Sequence, residues 1–215
     1  MPNWVTTKIQ TEPAVIQALV NAEGRVDFSL VTAFPGEFPW DSIYCDAEEL
    51  AEIVVGKPLD KNALLAELQA HSRSRASAAK LNDESFEQFV QMLRNYRKCG
   101  FLHGMDFARA AWGTKWNASE SDVDVDTGVA SFETAWNCPK QVLSTLSKRF
   151  PDAELFVTYA DEDIGSNCGT YTLRAGEVVQ SEIAPPWHEM TEQAQKRWAS
   201  FAREVKGWAA EEVDE

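Results

Sequence analysis

Only four of the 215 residues are cysteines and three are histidines. Cys45, Cys99, Cys138 and Cys168 stand 54, 39 and 30 positions apart, no Cys-x-x-Cys pair occurs, and His71, His103 and His188 fall near none of them. Such spacing excludes a sequence-evident zinc or iron–sulfur site and predicts free, reduced thiols. No window approaches the roughly 18–20 uninterrupted apolar residues of a membrane-spanning helix. The first residues, Met1 to Lys8, show no basic region followed by an apolar run, so no secretory signal is expected and a cytosolic location is. Basic residues are scarce: 20 Lys and Arg stand against 34 Asp and Glu, for a net charge of −14. Residues 120–215 alone carry 19 acids against 8 bases. A field of that sign repels a phosphate backbone, which disfavours general DNA or RNA binding. Also missing are G-x-S-x-G, H-E-x-x-H, a P-loop and a glycine-rich dinucleotide fingerprint. No catalytic residue, metal ligand or cofactor is expected.

What is present is aromatic and periodic. Eight Trp and eleven Phe within a 44% hydrophobic composition describe a folded chain. Asn3 to Gln10 alternates as a strand; Thr11-Glu12-Pro13 opens a helix with Val15, Ile16, Leu19 and Val20 on one face; Arg25 to Thr32 alternates as a second strand. Residues 46–105 read as helical. There Leu64, Leu65 and Leu68 share a face, and Asn82 or Asp83 starts a helix whose stripe is Phe86, Phe89, Val90 and Leu93. Strand patterning returns at Val129–Trp136, a helix follows from Pro139 to Phe150, then a strand at Glu154–Tyr159 and a hairpin across Ala175-Gly176. Thr191 caps a last helix. The expected fold is α+β: a ferredoxin-like β-α-β/β-α-β sheet over 1–45 and 106–185, with the helical insertion 46–105 between its second and third strands. A C-terminal helix and acidic tail occupy 186–215.

Several motifs carry chemistry. Trp112-Gly113-Thr114-Lys115-Trp116 reads as core, where each indole buries on the order of 200 Å²; the alternative is a cleft used by an enzyme of unknown chemistry, with Lys115 and Asp163 as its test positions. Asp122 to Glu133 partly matches a calcium loop, but the glycine is displaced by one place, and alternation with Val123 and Val125 points instead to a strand with one aspartate face. Asp122, Asp124 and Asp126, joined by Asp161, Glu162 and Asp163, are the expected acidic face for a partner. Arg73, Arg75, Arg94, Arg97 and Lys98 form a basic stretch that reads as a solvated helical face or, alternatively, a nucleic-acid contact. Trp198, Phe201, Val205 and Trp208 form a helical stripe, packed on the sheet or used as a homodimer face.

The segments Met1-Pro2-Asn3-Trp4, Trp112 to Ala118, Phe132-Glu133-Thr134-Ala135-Trp136 with Pro139, Leu146 to Pro151, Tyr159, Gly169 and Gly176 are similar to the YubB-like proteins of phages and plasmids, a family with a ferredoxin-like domain. The likeness covers residues 1–32 and 106–180. It implies expression from a mobile element inside a bacterial host and brings no catalytic residues with it. The function expected is binding to a host protein or nucleoprotein complex, in the manner of an anti-CRISPR or anti-restriction inhibitor.

Overall fold

The computed structural model describes residues 2–209 and resolves two compact units: Phe34–Phe107, and the remainder, up to Ala33 and from Ala108 onward. The insertion therefore begins twelve residues before position 46 and ends two after 105, because the aromatic loop from Phe34 to Trp40 packs with the helices that follow it.

The larger unit is built on one six-stranded, fully antiparallel sheet. Its strands are β1 (Trp4–Gln10), β2 (Ser119–Asp124), β3 (Val129–Ala135), β4 (Glu154–Asp161), β5 (Gly169–Arg174) and β6 (Glu177–Ile183), in the order β2-β3-β1-β4-β5-β6. With α1 (Pro13–Gln17) between β1 and β2, and α6 (Lys140–Arg149) between β3 and β4, the first four strands have the ferredoxin-like arrangement. The β5–β6 hairpin extends it at the β4 edge. Ala175 and Gly176, at φ 50° and 85°, turn that hairpin with both central residues left-handed, the conformation that matches strand twist. A Cβ at residue 176 would run into the Lys148 side chain, so the turn is specific for glycine.

One face of the sheet carries the main core. Val5, Ile9, Phe132, Leu155, Val157 and Leu173 alternate inward and meet Val15, Ile16, Val142, Leu143 and Leu146 of the two helices. On the other face α7 (Glu192–Lys206) packs on β4 and β1 around Ala160 and Cys168. Thr191 caps α7 through its hydroxyl, which accepts the Ala194 N–H.

One strand expectation fails. Residues 25–32 form no strand: Val20 and Val26 make a single bridge and Phe28–Leu30 is a 3-10 turn. The second strand of the fold is Ser119–Asp124, so the insertion precedes it. The physical reason is local capping. Asp27 accepts the Ser29 N–H and the Asn117 amide, and Asn117 Oδ1 accepts the Phe28 N–H. These bonds satisfy the 25–32 backbone without a sheet neighbour. Burial works against the Asp27 carboxylate, but bonds from Ser29 and Asn117 outweigh it and hold its pKa below the ordinary value.

In the smaller unit, α2 (Cys45–Val54), α3 (Ala63–Arg75), α4 (Asp83–Cys99) and the start of α5 (Gly104–Ala111) follow one another. The inward stripe of α4 is Ser85, Gln88, Met92 and Asn95, flanked by Phe89 and Leu93; Phe86 is exposed. Gln88 accepts the Tyr44 N–H and donates to Ser42 O, while Asn95 donates to Glu37 O and Leu102 O. Buried amides thus anchor the preceding loop. On α3, Leu64, Leu65 and Leu68 do share a face, but nothing on that helix is buried.

Candidate functional site

The end of the sheet where β1 starts is also the end where β3 and β4 finish, because Trp4 pairs with Ala135 and Val5 with Asp161. Three indoles gather there. Trp4 and Trp116 have ring centroids 6.3 Å apart, and Trp116 and Trp136 5.6 Å apart at 35°. Trp116 is 37% and Trp136 42% exposed, so the core expectation fails for Trp116. It holds for Trp112, half-buried against the main core, edge-on to Phe28, with its indole N–H donated to Thr32 O. Lys115 lies over both surface rings, its Nζ 4.8 Å from the Trp116 centroid and 5.5 Å from that of Trp136.

The turn that delivers Lys115 and Trp116 is held at both ends. Gly113 sits at φ 84° with Gln141 where a Cβ would be, and Thr114 donates its hydroxyl to Ala135 O. Trp136 is itself left-handed at φ 63°, a conformation that costs a bulky residue about 1–3 kcal/mol. Its N–H donates to Asn3 O and its carbonyl accepts from the Asn167 amide.

Both asparagines converge on Asp161. That carboxylate is 5% exposed; Oδ1 accepts from Asn3 Nδ2 (3.2 Å) and the Asp163 N–H (3.0 Å), and Oδ2 from Asn167 Nδ2 (2.8 Å). Glu162 accepts the Trp4 N–H. Asp161 is therefore an internal hub, not a surface contact, while Glu162 and Asp163 are exposed.

The acidic face expected of six residues is not a single face. Asp122, Asp124 and Asp126 are exposed, with Val123 and Val125 turned to the core as the alternation predicts. However, Asp124 pairs with Val129, which pairs with Gln10, the far end of β1 from Trp4. At about 3.3 Å per residue the two acidic groups are separated by roughly 20 Å along the strands.

The basic stretch is also divided. Arg73 is consumed by Glu52 (3.0 Å) and the Lys57 carbonyl, whereas Arg75, Arg94, Arg97 and Lys98 are exposed. Nearby, His103 is buried: Nε2 lies 3.0 Å from Glu48 Oε1 and Nδ1 accepts the Asp106 N–H. With both ring nitrogens engaged, it has no lone pair left for proton abstraction. Composition alone did not single it out.

In the stripe of α7, Trp198 and Val205 are buried against the sheet and Phe201 partly so, leaving Trp208 as the exposed member. Trp198, Val205 and part of Phe201 thus belong to the core. A groove of about 730 Å³ runs along the outer side of α7, between Ile164, Trp187 and Trp208.

Residues 111–200 match the family model described as the ferredoxin-like domain in Api92-like protein. The matched segment of this ferredoxin-like domain holds the Trp112–Trp116 turn, β2 through β6 and the first part of α7; the central strand β1 lies outside it. The crystal structure of a protein Api92 from Yersinia pseudotuberculosis is similar at 11% identity and a TM-score of 0.41, over 87% of this chain and 100% of that one. None of the curated proteins matches. No helix among the described residues is long and apolar enough to cross a membrane.

The cysteines differ sharply in environment. Burial pushes both the Cys138 thiol, which contacts the Tyr171 hydroxyl at 3.2 Å, and the Cys168 thiol up to about 11. Burial likewise raises Tyr159 to about 12 and Tyr171 further still. Cys45 is exposed. Iodoacetamide at pH 8 should therefore modify Cys45 in the native protein and spare Cys138 and Cys168 until denaturant is added, as read by peptide mass spectrometry. Native-state labelling of Cys168 would contradict the α7–β4 packing.

Proposed function

We propose that this chain is a non-catalytic accessory protein of a phage or plasmid, related to the YubB-like proteins, that works in the bacterial cytoplasm by occupying the surface of a host protein or nucleoprotein complex. The observation that carries this reading is the pair of exposed indoles, Trp116 and Trp136, at the same end of the sheet as the exposed Glu162 and Asp163 on a strongly acidic chain. Tryptophan is enriched at the energetic centres of interfaces, and flanking carboxylates select a basic partner surface and speed encounter. An anti-defence target, such as a CRISPR effector or a restriction complex, fits because proteins that handle nucleic acid present basic surfaces. The aspartates of β2, on a separate edge, supply a second acidic contact.

Affinity purification from a bacterial lysate tests this. One specific protein should be retained at about 50 mM salt, be weakened at about 500 mM, and be lost when Trp116 and Trp136 are both alanine. Recovery of nothing specific, or of a protein indifferent to salt and to both substitutions, would defeat the proposal. A second reading, nucleic-acid binding, rests on the exposed Arg94, Arg97 and Lys98 of α4 with Tyr96 among them. A gel shift at low salt that stays negative ends it.

A further inference from the structure

We infer that Trp116 and Trp136 form a slot for an arginine side chain of the bound protein, and that Lys115 is its resident internal occupant. The inference rests on the protein-binding reading and names the chemistry of the contact. An ammonium group already sits at cation–π distance from both ring faces, 4.8 and 5.5 Å from the centroids. In a chain with 34 acidic residues, Lys115 makes no ion pair with any of them among the described residues. Its positive charge is instead stationed on the indoles, which marks that spot as the place where the surface prefers a cation.

The slot is also built in advance. The Asp161 hub fixes Asn3 and Asn167, and these hold the N–H and carbonyl of the left-handed Trp136. Trp4 packs against Trp116, ring centroids 6.3 Å apart. A guanidinium is planar and more weakly hydrated than an ammonium, so it stacks on indole at a smaller desolvation cost and displaces Lys115. The exposed Glu162 and Asp163 follow Asp161 at the same end of the sheet and add negative charge there, which favours a guanidinium. A neutral or anionic side chain would gain neither advantage.

The indole N–H resonances of the 215-residue chain, assigned with Trp116→Ala and Trp136→Ala, report occupancy directly. Titration with N-acetyl-arginine methylamide should move the Trp116 and Trp136 signals and leave that of the half-buried Trp112 in place. N-acetyl-glutamine methylamide should move none. Lys115→Ala, which frees the rings, should bind the arginine probe about 2- to 5-fold tighter, the equivalent of one exposed cation–π contact. Either tryptophan substitution should abolish the response. Absence of movement in both the parent and Lys115→Ala, weaker binding by Lys115→Ala, or an equal response to the glutamine probe would overturn the slot. The two levels separate cleanly. If the arginine probe behaves as expected but no lysate protein is retained, the slot stands and the protein-binding reading falls. If a partner is retained whose capture weakens with salt but ignores the tryptophan and Lys115 substitutions, the slot falls alone.

Discussion

Phe28→Ala should lower the unfolding free energy by about 3–5 kcal/mol, the usual cost of deleting a fully buried aromatic ring. The residue lies in a stretch of mixed polarity, Asp27-Phe28-Ser29-Leu30, yet it is 0% exposed and packs edge-on to Trp112 at 5.8 Å and Phe132 at 5.7 Å. The surroundings cannot collapse into the space left behind. Trp112 is pinned by its bond to Thr32 O, Phe132 is fixed in β3, and the Arg149 guanidinium holds the chain just beyond by binding Leu30 O and Val31 O. A loss of this size is a large fraction of the total stability of a domain. Phe28→Leu, retaining most of the volume, should cost under half as much. Urea unfolding with an unchanged m-value measures both. A loss below about 1 kcal/mol for the alanine variant would mean that the 25–32 turn is not part of the main core.

Asp161→Asn should cost about 1–3 kcal/mol although it changes no volume. All three bonds to the carboxylate come from donors: Asn3 Nδ2, the Asp163 N–H and Asn167 Nδ2. An amide offers one acceptor oxygen, so whichever way it rotates its NH2 meets at least one of them head-on. Asn167 cannot relieve the clash by flipping, since its Nδ2 also serves Trp136 O and a flip would set two oxygens face to face. The strain should therefore reach Trp136, shifting its indole resonance and weakening arginine-probe binding, while Phe28→Leu leaves that resonance in place. A variant of parent stability with an unmoved Trp136 signal would show that the hub does not hold the platform.

The elements that were legible share a feature: their signals are local. The alternation of β1, the apolar face Val142-Leu143-Leu146 of α6, the Asn82 and Thr191 caps and the left-handed turn at Ala175-Gly176 each report backbone preference within a few residues. Residues 25–32 show the same period-2 alternation yet form no strand, because a strand also needs a neighbour with free donors and acceptors. Asn117, ninety positions from Asp27, supplied the bonds instead. Hydropathy misread α4 for a related reason. Gln88 and Asn95 are buried because the loop at 37–44 presents unpaired backbone groups to them, and no scale assigns a glutamine to a core.

The functional end of the sheet shows the same division. Residue order alone settled that Trp112, Lys115 and Trp116 share a tight turn, that aspartates alternate with valines on β2, and that the chain is strongly acidic. These follow from covalent connectivity, side-chain period and charge, which do not depend on what lies across the fold. Only the folded molecule decided that Trp112 turns inward while Trp116 faces water beside Trp136, that Asp161 is an interior acceptor whereas Glu162 and Asp163 reach solvent, and that the two acidic groups stand at opposite ends of β1. Exposure and hydrogen-bond supply are properties of neighbours brought together from distant positions, and strand register, which pairs Val5 with Asp161, is what assembles them.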